Sequence, residues 1–252
     1  MPDTNPPGPS SAHAPIPALP RYFSDEQARR RFLDTLFDRT ARDYDSVERL
    51  LALTSGAWYR RQALVRAGLA PGMRVLDIAT GTGLVAREAL AVVGPSGAVL
   101  GLDPSAGMLD EARGLAIPLT RGLGEKLPYA GASFDFVSMG FALRHVADLD
   151  ALFAEMRRVL RPGGTACILE ITYPRRRLAA APLRFFMTRV VPLASWSARR
   201  RASARALMRF YWDTIAACVP PAEVLAALGR AGFDAPRRGV ILGLFSEYVA
   251  RK

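Results

Sequence analysis

The run Val75-Leu76-Asp77-Ile78-Ala79-Thr80-Gly81-Thr82-Gly83 carries the strongest chemical signal in the chain. A strand-like apolar stretch enters a glycine turn, and a helix-like stretch follows from Leu84. Glycine has no Cβ, so backbone at such a turn can approach a ligand closely. Asp103 closes the next apolar run, where a carboxylate accepts hydrogen bonds from ribose hydroxyls. Alone it would read as a helix cap; with the glycines and Asp77 it points to a bound nucleoside. Two ligand chemistries share this pattern. Gly81-Thr82-Gly83-Leu84-Val85-Ala86 fits the G-x-G-x-x-A dinucleotide fingerprint, with an acid at the expected distance downstream. Asp77 argues the other way. A carboxylate ahead of the glycines repels a pyrophosphate, but it can reach a cationic methionine amine, directly or through water. S-adenosylmethionine is therefore the favoured ligand, and NAD(P) the alternative.

A second chemical cluster follows the apolar run Phe134–Met139. Arg144 and His145 adjoin there, and the only other histidine is His13. Imidazole titrates near neutrality, so His145 suits a direct general base; a satisfied histidine at a helix start is the plainer reading. Arg144 can orient a phenolate, or it can form a surface ion pair. Tyr44 can close over the methionine end of the cofactor, or pack as an ordinary helix residue. Pro104 and Met108 are candidates to pack near an adenine, and Glu125 to border its pocket. For Met108 a core position is the competing reading, and for Glu125 a solvated one.

These residues need a frame. The chain has 252 residues, half of them hydrophobic, enough for one large α/β domain over 21–252. Residues 1–20 carry seven prolines and almost no large apolar side chain, which predicts a disordered tail. No signal peptide and no membrane-spanning run is apparent. Cys167 and Cys218 read as core thiols in a cytoplasmic protein. Residues 25–70 read as helices. Strands are predicted at 74–78, 98–102, 117–119, 134–139 and 165–171, with helices at 84–92, 105–112 and 149–160. The Arg161-Pro162-Gly163-Gly164 turn precedes the last of these strands, and terminal strands are predicted at 240–244 and 246–250. Alternating strands and helices imply a parallel sheet covered on both faces.

The net charge is +11, and all but Lys126 and Lys252 of the cations are arginines. No acid lies between Glu170 and Asp213, while Arg175, Arg176, Arg177, Arg184, Arg189, Arg199, Arg200, Arg201, Arg205 and Arg209 do. Leu183, Phe185, Phe186, Met187, Val190, Val191 and Trp196 are interspersed. This basic helical segment, about 174–217, reads as a lid over an apolar acceptor that touches an anionic membrane surface; a solvated helix pair is the simpler alternative. Nucleic acid is disfavoured as a partner, because the aromatics lie in apolar runs and not among basic residues as stacking platforms.

Taken together the motifs resemble a known family. Phe37, Ala41 and Tyr44-Asp45, the Val75–Gly83 loop, Gly124-Glu125-Lys126-Leu127-Pro128-Tyr129, Phe134-Asp135-Phe136-Val137, Phe141-Ala142-Leu143-Arg144-His145-Val146 and Arg158–Gly164 with Leu169-Glu170 are similar to class I methyltransferases. Among these they most resemble the ubiquinone/menaquinone biosynthesis C-methyltransferases. The resemblance implies a doubly wound, mostly parallel seven-stranded sheet with N-terminal helices and a helical lid. It also implies S-adenosylmethionine as cofactor, held by Tyr44, Asp77, Ala79, Thr80, Gly81, Gly83, Asp103, Pro104, Met108, Gly124, Glu125 and Met139. Catalysis would fall to Arg144 and His145, with Arg144 in a water-mediated proton relay. The acceptor would be small, apolar and aromatic or quinone-like, methylated at carbon. The chain departs from the family pattern at Glu48, Leu123, Ala142 and His145, where Asn, Asp, Gly and Asn are usual. A nicotinamide oxidoreductase and a non-catalytic RNA- or partner-binding module remain the rival functions.

Overall fold

The computed structural model describes residues 14–16, 19–52, 55–173, 177–195 and 197–252, with backbone alone at 177–179 and 198–199. Most of the predicted tail, Arg175, Arg176 and Trp196 lie outside the described residues, as do the side chains of Arg177 and Arg199.

The hydrophobic pattern along the strands explains the sheet. β1 (Arg74–Ile78), β4 (Phe134–Gly140) and β5 (Leu160–Ile171) are near-continuous apolar runs. Such runs suit strands buried on both faces. Successive side chains point to opposite faces. Val75, Phe136 and Cys167 accordingly pack on one side, with α2 (Gly56–Arg66) and α3 (Leu84–Val93). Leu76, Val137 and Ile168 pack on the other, with α5 (Leu149–Val159) and α9 (Pro221–Arg230). On α5, Leu149, Leu152, Phe153, Met156 and Val159 form the buried stripe, and Asp148 caps its first turn by accepting from Asp150 and Ala151 amides. Full burial of each such side chain is worth about 1.5–3 kcal/mol.

The sheet has seven strands among the described residues, in the order β3-β2-β1-β4-β5-β7-β6. β2 is Ala98–Asp103 and β3 Leu119–Arg121. The hairpin of β6 (Asp234–Ile241) and β7 (Phe245–Arg251) supplies the antiparallel pairs; the other pairings are parallel. The chain winds outward from β1 in both directions, so the switch point lies between β1 and β4, where ligands bind beyond the strand ends.

Above that edge sits a third core. The long helix α1 (Glu26–Leu51) packs there with α6 (Arg177–Phe185), a π-helical turn at Phe186–Val190, α7 (Val191–Ala194) and α8 (Ala198–Ala217). Residues 177–194 and 198–217 are thus helical, as the sequence indicated. α4 (Ala106–Ala112) packs under α1.

Several boundaries differ from expectation, β5 among them in starting at Leu160, and three have a clear reason. β3 begins at Leu119 because Pro118 has no N–H for the ladder and offers only its carbonyl, to Gly101. The run expected as a strand at 240–244 contains a chain reversal: Leu242 (φ 53°) and Gly243 (φ 68°) are both left-handed, joining β6 to β7. β6 itself starts at Asp234 and tolerates Pro236 because it is an edge strand. The expected tail also ends early. Ile16 is buried in the third core, and the Pro15 carbonyl accepts from the Val219 amide at 2.8 Å.

Gly83 starts α3 with φ 85°, and a Cβ there would clash with Leu115 Cδ1. Gly83→Ala should therefore destabilise the protein by about 1–3 kcal/mol. Adding Leu115→Ala should recover part of that loss; strictly additive effects in urea unfolding would show that the Leu115 contact plays no part.

Candidate active site

Two buried carboxylates shape the turn after β1. Asp77 is 0 % exposed and accepts from Thr80 Oγ1 at 2.7 Å and from Ser138 Oγ of β4 at 2.6 Å. Asp103, at the end of β2, accepts from the Gly81 amide at 2.8 Å and the Ser105 amide at 2.9 Å. Burial pushes both carboxyls up to about 6, against the hydrogen bonds that favour the charged form. Helix α1 braces the same loops from above. Asp45 accepts from Thr82 Oγ1 at 2.5 Å, and Asp38 from Ser105 Oγ at 2.5 Å and the Gly107 amide at 2.9 Å.

A cavity opens beyond these strand ends. Of the residues singled out in the sequence, Tyr44, Ala79, Gly81, Asp103, Pro104, Met108, Gly124, Glu125, Met139 and His145 line it. Ala79 (φ 52°) and Phe141 (φ 60°), at the ends of β1 and β4, both hold left-handed backbone on its wall. Strain of this kind in residues other than glycine costs on the order of 1–3 kcal/mol and clusters at working sites. Asp77, Thr80 and Gly83 do not line the cavity. Asp77 was expected to reach the ligand's amine; its carboxylate is instead bound to Thr80 and Ser138 and sets the shape of the turn. At Gly83, expected as a backbone contact, the space a Cβ would take is filled by Leu115.

Arg144 and His145 separate. His145 lines this cavity between aromatic rings, stacked on Phe210 at 5.3 Å and edge-on to Phe37 at 5.5 Å. Neither of its ring nitrogens, both buried, has a hydrogen-bond partner among the described residues. Burial, with the charges of Arg144 and Arg29, holds the imidazole well below its usual value. That direction runs against the near-neutral titration expected of it. Arg144 is 1 % exposed and lines a second cavity. Its guanidinium pairs with Glu170, donates to the Phe141 carbonyl (2.9 Å) and Thr214 Oγ1 (3.1 Å), and lies over the Tyr211 ring at 4.9 Å. The ion pair is buried, where the sequence reading had offered a surface one.

Can S-adenosylmethionine fit? Gly81 (φ 57°) opens to space with no atom within 4 Å of a built Cβ. Leu102, Pro104, Met108 and Leu123 give an apolar wall, with the Asp103 carboxylate beside it. An apolar slot next to a hydroxyl-accepting carboxylate suits an adenosine, so the residues present fit the cofactor.

Comparison with known proteins decides the lineage. Residues 24–236 match the model of the ubiE/COQ5 methyltransferase family. The ubiquinone/menaquinone biosynthesis C-methyltransferase UbiE of Bordetella parapertussis is 33% identical over 241 residues, covering 93% of this chain and 90% of that protein. The chain belongs to the ubiE/COQ5 methyltransferase family. A demethylmenaquinone methyltransferase of Mycobacterium sp. (strain KMS) is also 33% identical, covering 86% of this chain and 93% of that protein. In fold, the chain is similar to a SAM-dependent methyltransferase from Aquifex aeolicus, with TM-score 0.59, 18% identity, and coverage of 82% and 97%. It is likewise similar to Haemonchus contortus phosphoethanolamine N-methyltransferase 2 in complex with S-adenosyl-L-methionine, with TM-score 0.57, 16% identity, and coverage of 77% and 52%.

The protein is thus an S-adenosylmethionine-dependent methyltransferase, which sets aside the nicotinamide and non-catalytic alternatives. Four site residues of this ubiE/COQ5 member escaped sequence reasoning: Asp38, Arg29, Ser138 and Tyr211. Asp38 and Asp45 stand seven apart on α1, two helical turns on one face, and that spacing was the available signal. Arg29 lines the cavity and donates to the His145 carbonyl at 2.6 Å; nothing local marks it among neighbouring arginines.

The raised carboxyls give a pH signature. Below 3.8 both folded and unfolded chains hold the Asp77 proton, and its contribution is fully present. Between 3.8 and about 6 the folded chain holds a proton that the unfolded one releases, so stability falls as pH rises. The total is about 3 kcal/mol for a shift of this size. Asp77→Asn should roughly halve that slope, leaving the Asp103 share. Urea unfolding across this window checks it, and an unchanged slope would place the titration elsewhere.

Proposed function

We propose that the enzyme methylates a ring carbon of a small apolar, quinone-like acceptor. The observation that carries this reading is the second cavity, which shares Tyr44, Phe141 and Tyr211 with the first. Val47, Leu51, Ile171, Met187, Leu207 and Met208 line it. The charges that reach it are paired, Glu48 with Arg60 and Arg144 with Glu170, so an apolar guest meets no lone ion. At its rim Trp58 is 68% exposed and Leu242, left-handed at the hairpin tip, 88%. The quinone-related names of the two curated relatives support this acceptor class.

The cofactor contacts follow from the first cavity. Each Asp103 oxygen already accepts one N–H. A carboxylate takes about four donors, leaving capacity for the ribose hydroxyls. Pro104, Met108 and Leu123 would flank the adenine, and Gly124 and Glu125 would border it. Ala79, Gly81, Met139 and Tyr44 would face the methionine end. Asp77, Thr80 and Gly83 would contribute the turn's shape. When bound, the cofactor supplies an electrophilic methyl group on a sulfonium.

This chain's residues must then bring the acceptor carbon in line and manage its proton. The Arg144 guanidinium, held by Glu170, faces the acceptor cavity and would orient the acceptor's oxygen there. His145, neutral at rest, would take the proton that the acceptor loses as its carbon bonds to the methyl group, and would release it to solvent afterwards. We place the enzyme in the cytoplasm, with its basic cap against an anionic membrane surface. No helix among the described residues is long and apolar enough to cross a membrane.

Incubation of a cell lipid extract with labelled S-adenosylmethionine should put label on an apolar aromatic product. Label confined to water-soluble or nucleic-acid products would reject the acceptor assignment. With the acceptor in hand, Arg144→Gln combined with Glu170→Gln, which leaves no buried lone charge, should lower turnover by roughly 10²-fold. His145→Ala should lower it by about 10²-fold, the low end for a general base. Both should retain affinity for S-adenosylhomocysteine; near-normal single-turnover rates in both would remove them from the chemistry.

Asp103→Ala should raise the S-adenosylhomocysteine dissociation constant about tenfold or more, since hydrogen bonds to a charged group contribute about 1.5–3 kcal/mol each. Calorimetry on a variant with native circular dichroism checks this, and an unchanged constant would reduce Asp103 to a strut for the glycine turn.

A further inference from the structure

On the outer side of the helical cap is a pocket unrelated to either cavity. Arg21, Arg184, Arg189, Arg205 and Arg209 line it with Thr188, Leu193 and Trp212. Its one acid is Asp213, which already accepts from the Tyr22 hydroxyl at 2.5 Å and sits 3.7 Å from Arg21. Arg184, Arg189, Arg205 and Arg209 form no ion pair among the described residues. Four arginines thus line one pocket with no carboxylate bound to any of them among the described residues. Arg205 and Arg209 stand four residues apart on α8, a spacing at which like charges repel. An anion seated among them would relieve that repulsion, and a planar guanidinium fork matches phosphate oxygens.

An apolar groove adjoins the pocket. It shares Arg184, Thr188, Arg189 and Trp212 with it and adds Tyr173, Ala180, Ala181 and Phe185. Phe185 is 63% and Leu193 64% exposed, and Val190 is exposed beside them. Large apolar side chains facing water next to a cationic pocket complement one chemistry: a phosphate headgroup attached to hydrocarbon.

We infer that this outer face of α6–α8 is a binding site for anionic phospholipid, with one headgroup phosphate in the arginine pocket and Phe185 and Leu193 in the acyl region. The inference rests on the proposed contact with an anionic membrane and names the residues that make it. The same helices line the acceptor cavity from within, through Leu183, Phe186, Met187, Leu207 and Met208. Lipid on the outer face would therefore hold the wall of that cavity at the bilayer surface.

The full chain is sedimented with phosphatidylcholine vesicles, with and without phosphatidylglycerol, over a range of salt. Binding should require phosphatidylglycerol and weaken with salt. Arg184→Gln/Arg205→Gln/Arg209→Gln should reduce the bound partition on the order of tenfold or more. Phe185→Ser/Leu193→Ser should reduce it at every salt concentration. Arg87→Gln/Arg113→Gln/Arg251→Gln, which removes the same charge elsewhere, should not. Retained S-adenosylhomocysteine binding certifies the fold of each variant and keeps this test separate from that of methyl transfer. Equal loss in the charge-matched control would overturn the site in favour of general surface charge. Binding of inorganic phosphate or a single-stranded RNA at these arginines, with no vesicle binding, would overturn it in favour of a free anion or nucleic acid.

Discussion

The site depends on one buried carboxylate. Asp77 ends β1, and its two oxygens accept from Thr80 on the turn and Ser138 on β4. That pair of bonds joins the first strand to the fourth across the switch point and fixes the turn between them. With the turn fixed, the Gly81 amide meets Asp103, which aligns the end of β2 with the other two strands. Three strand ends are thereby held together beneath α1. The arrangement is costly, because two carboxylates share a dry region and their burial raises both. A neutral residue at position 77 would relieve the desolvation, but it would lose the charge-assisted bonds that make the turn rigid.

The second organising element is a pair of buried guanidinium groups. Arg144 is locked by Glu170, Thr214 and the Phe141 carbonyl, and Arg29 by Glu26 and the His145 carbonyl. Their charges act on whatever lies between the two cavities. On His145 the effect adds to burial and disfavours the imidazolium. On Tyr44 and Tyr211, the two phenols that line both cavities, burial raises the pKa and Arg144 lowers it, and burial wins. A neutral imidazole beside these cations keeps both ring nitrogens without a partner among the described residues.

Much of this frame was legible in the sequence. The apolar runs at 75–78 and 134–139 are uninterrupted enough to specify doubly covered strands, and the glycine turn and Asp103 announced a nucleoside. What stayed hidden has physical causes. β6 has no apolar alternation because an edge strand buries little, so Asp234–Arg238 looked like loop. Leu242 looked like strand because left-handed backbone at leucine leaves no trace in composition. The split of Arg144 from His145 follows from a single 3-10 turn, Leu143–His145, which sends adjacent side chains to different cavities. The roles of Asp38 and Ser138 are tertiary: each meets its partner only once the sheet and α1 have docked.

The cap helices show why this enzyme's charge is so unevenly distributed. On α8, Leu207, Met208 and Tyr211 turn inward to the acceptor cavity, while Arg205 and Arg209 turn outward. Between them Phe210, Trp212 and Ile215 are also buried, in the core shared with α1. A helix this deeply buried needs little help from surface ion pairs, and its one acid, Asp213, is engaged by Tyr22 and Arg21. Like charges four apart cost about 0.2–0.5 kcal/mol per pair, which burial of this extent easily outweighs. The packing that builds the inner cavity is thus what permits an unbalanced cationic surface on the outside. The two faces of the cap are linked by energetics before they are linked by any function.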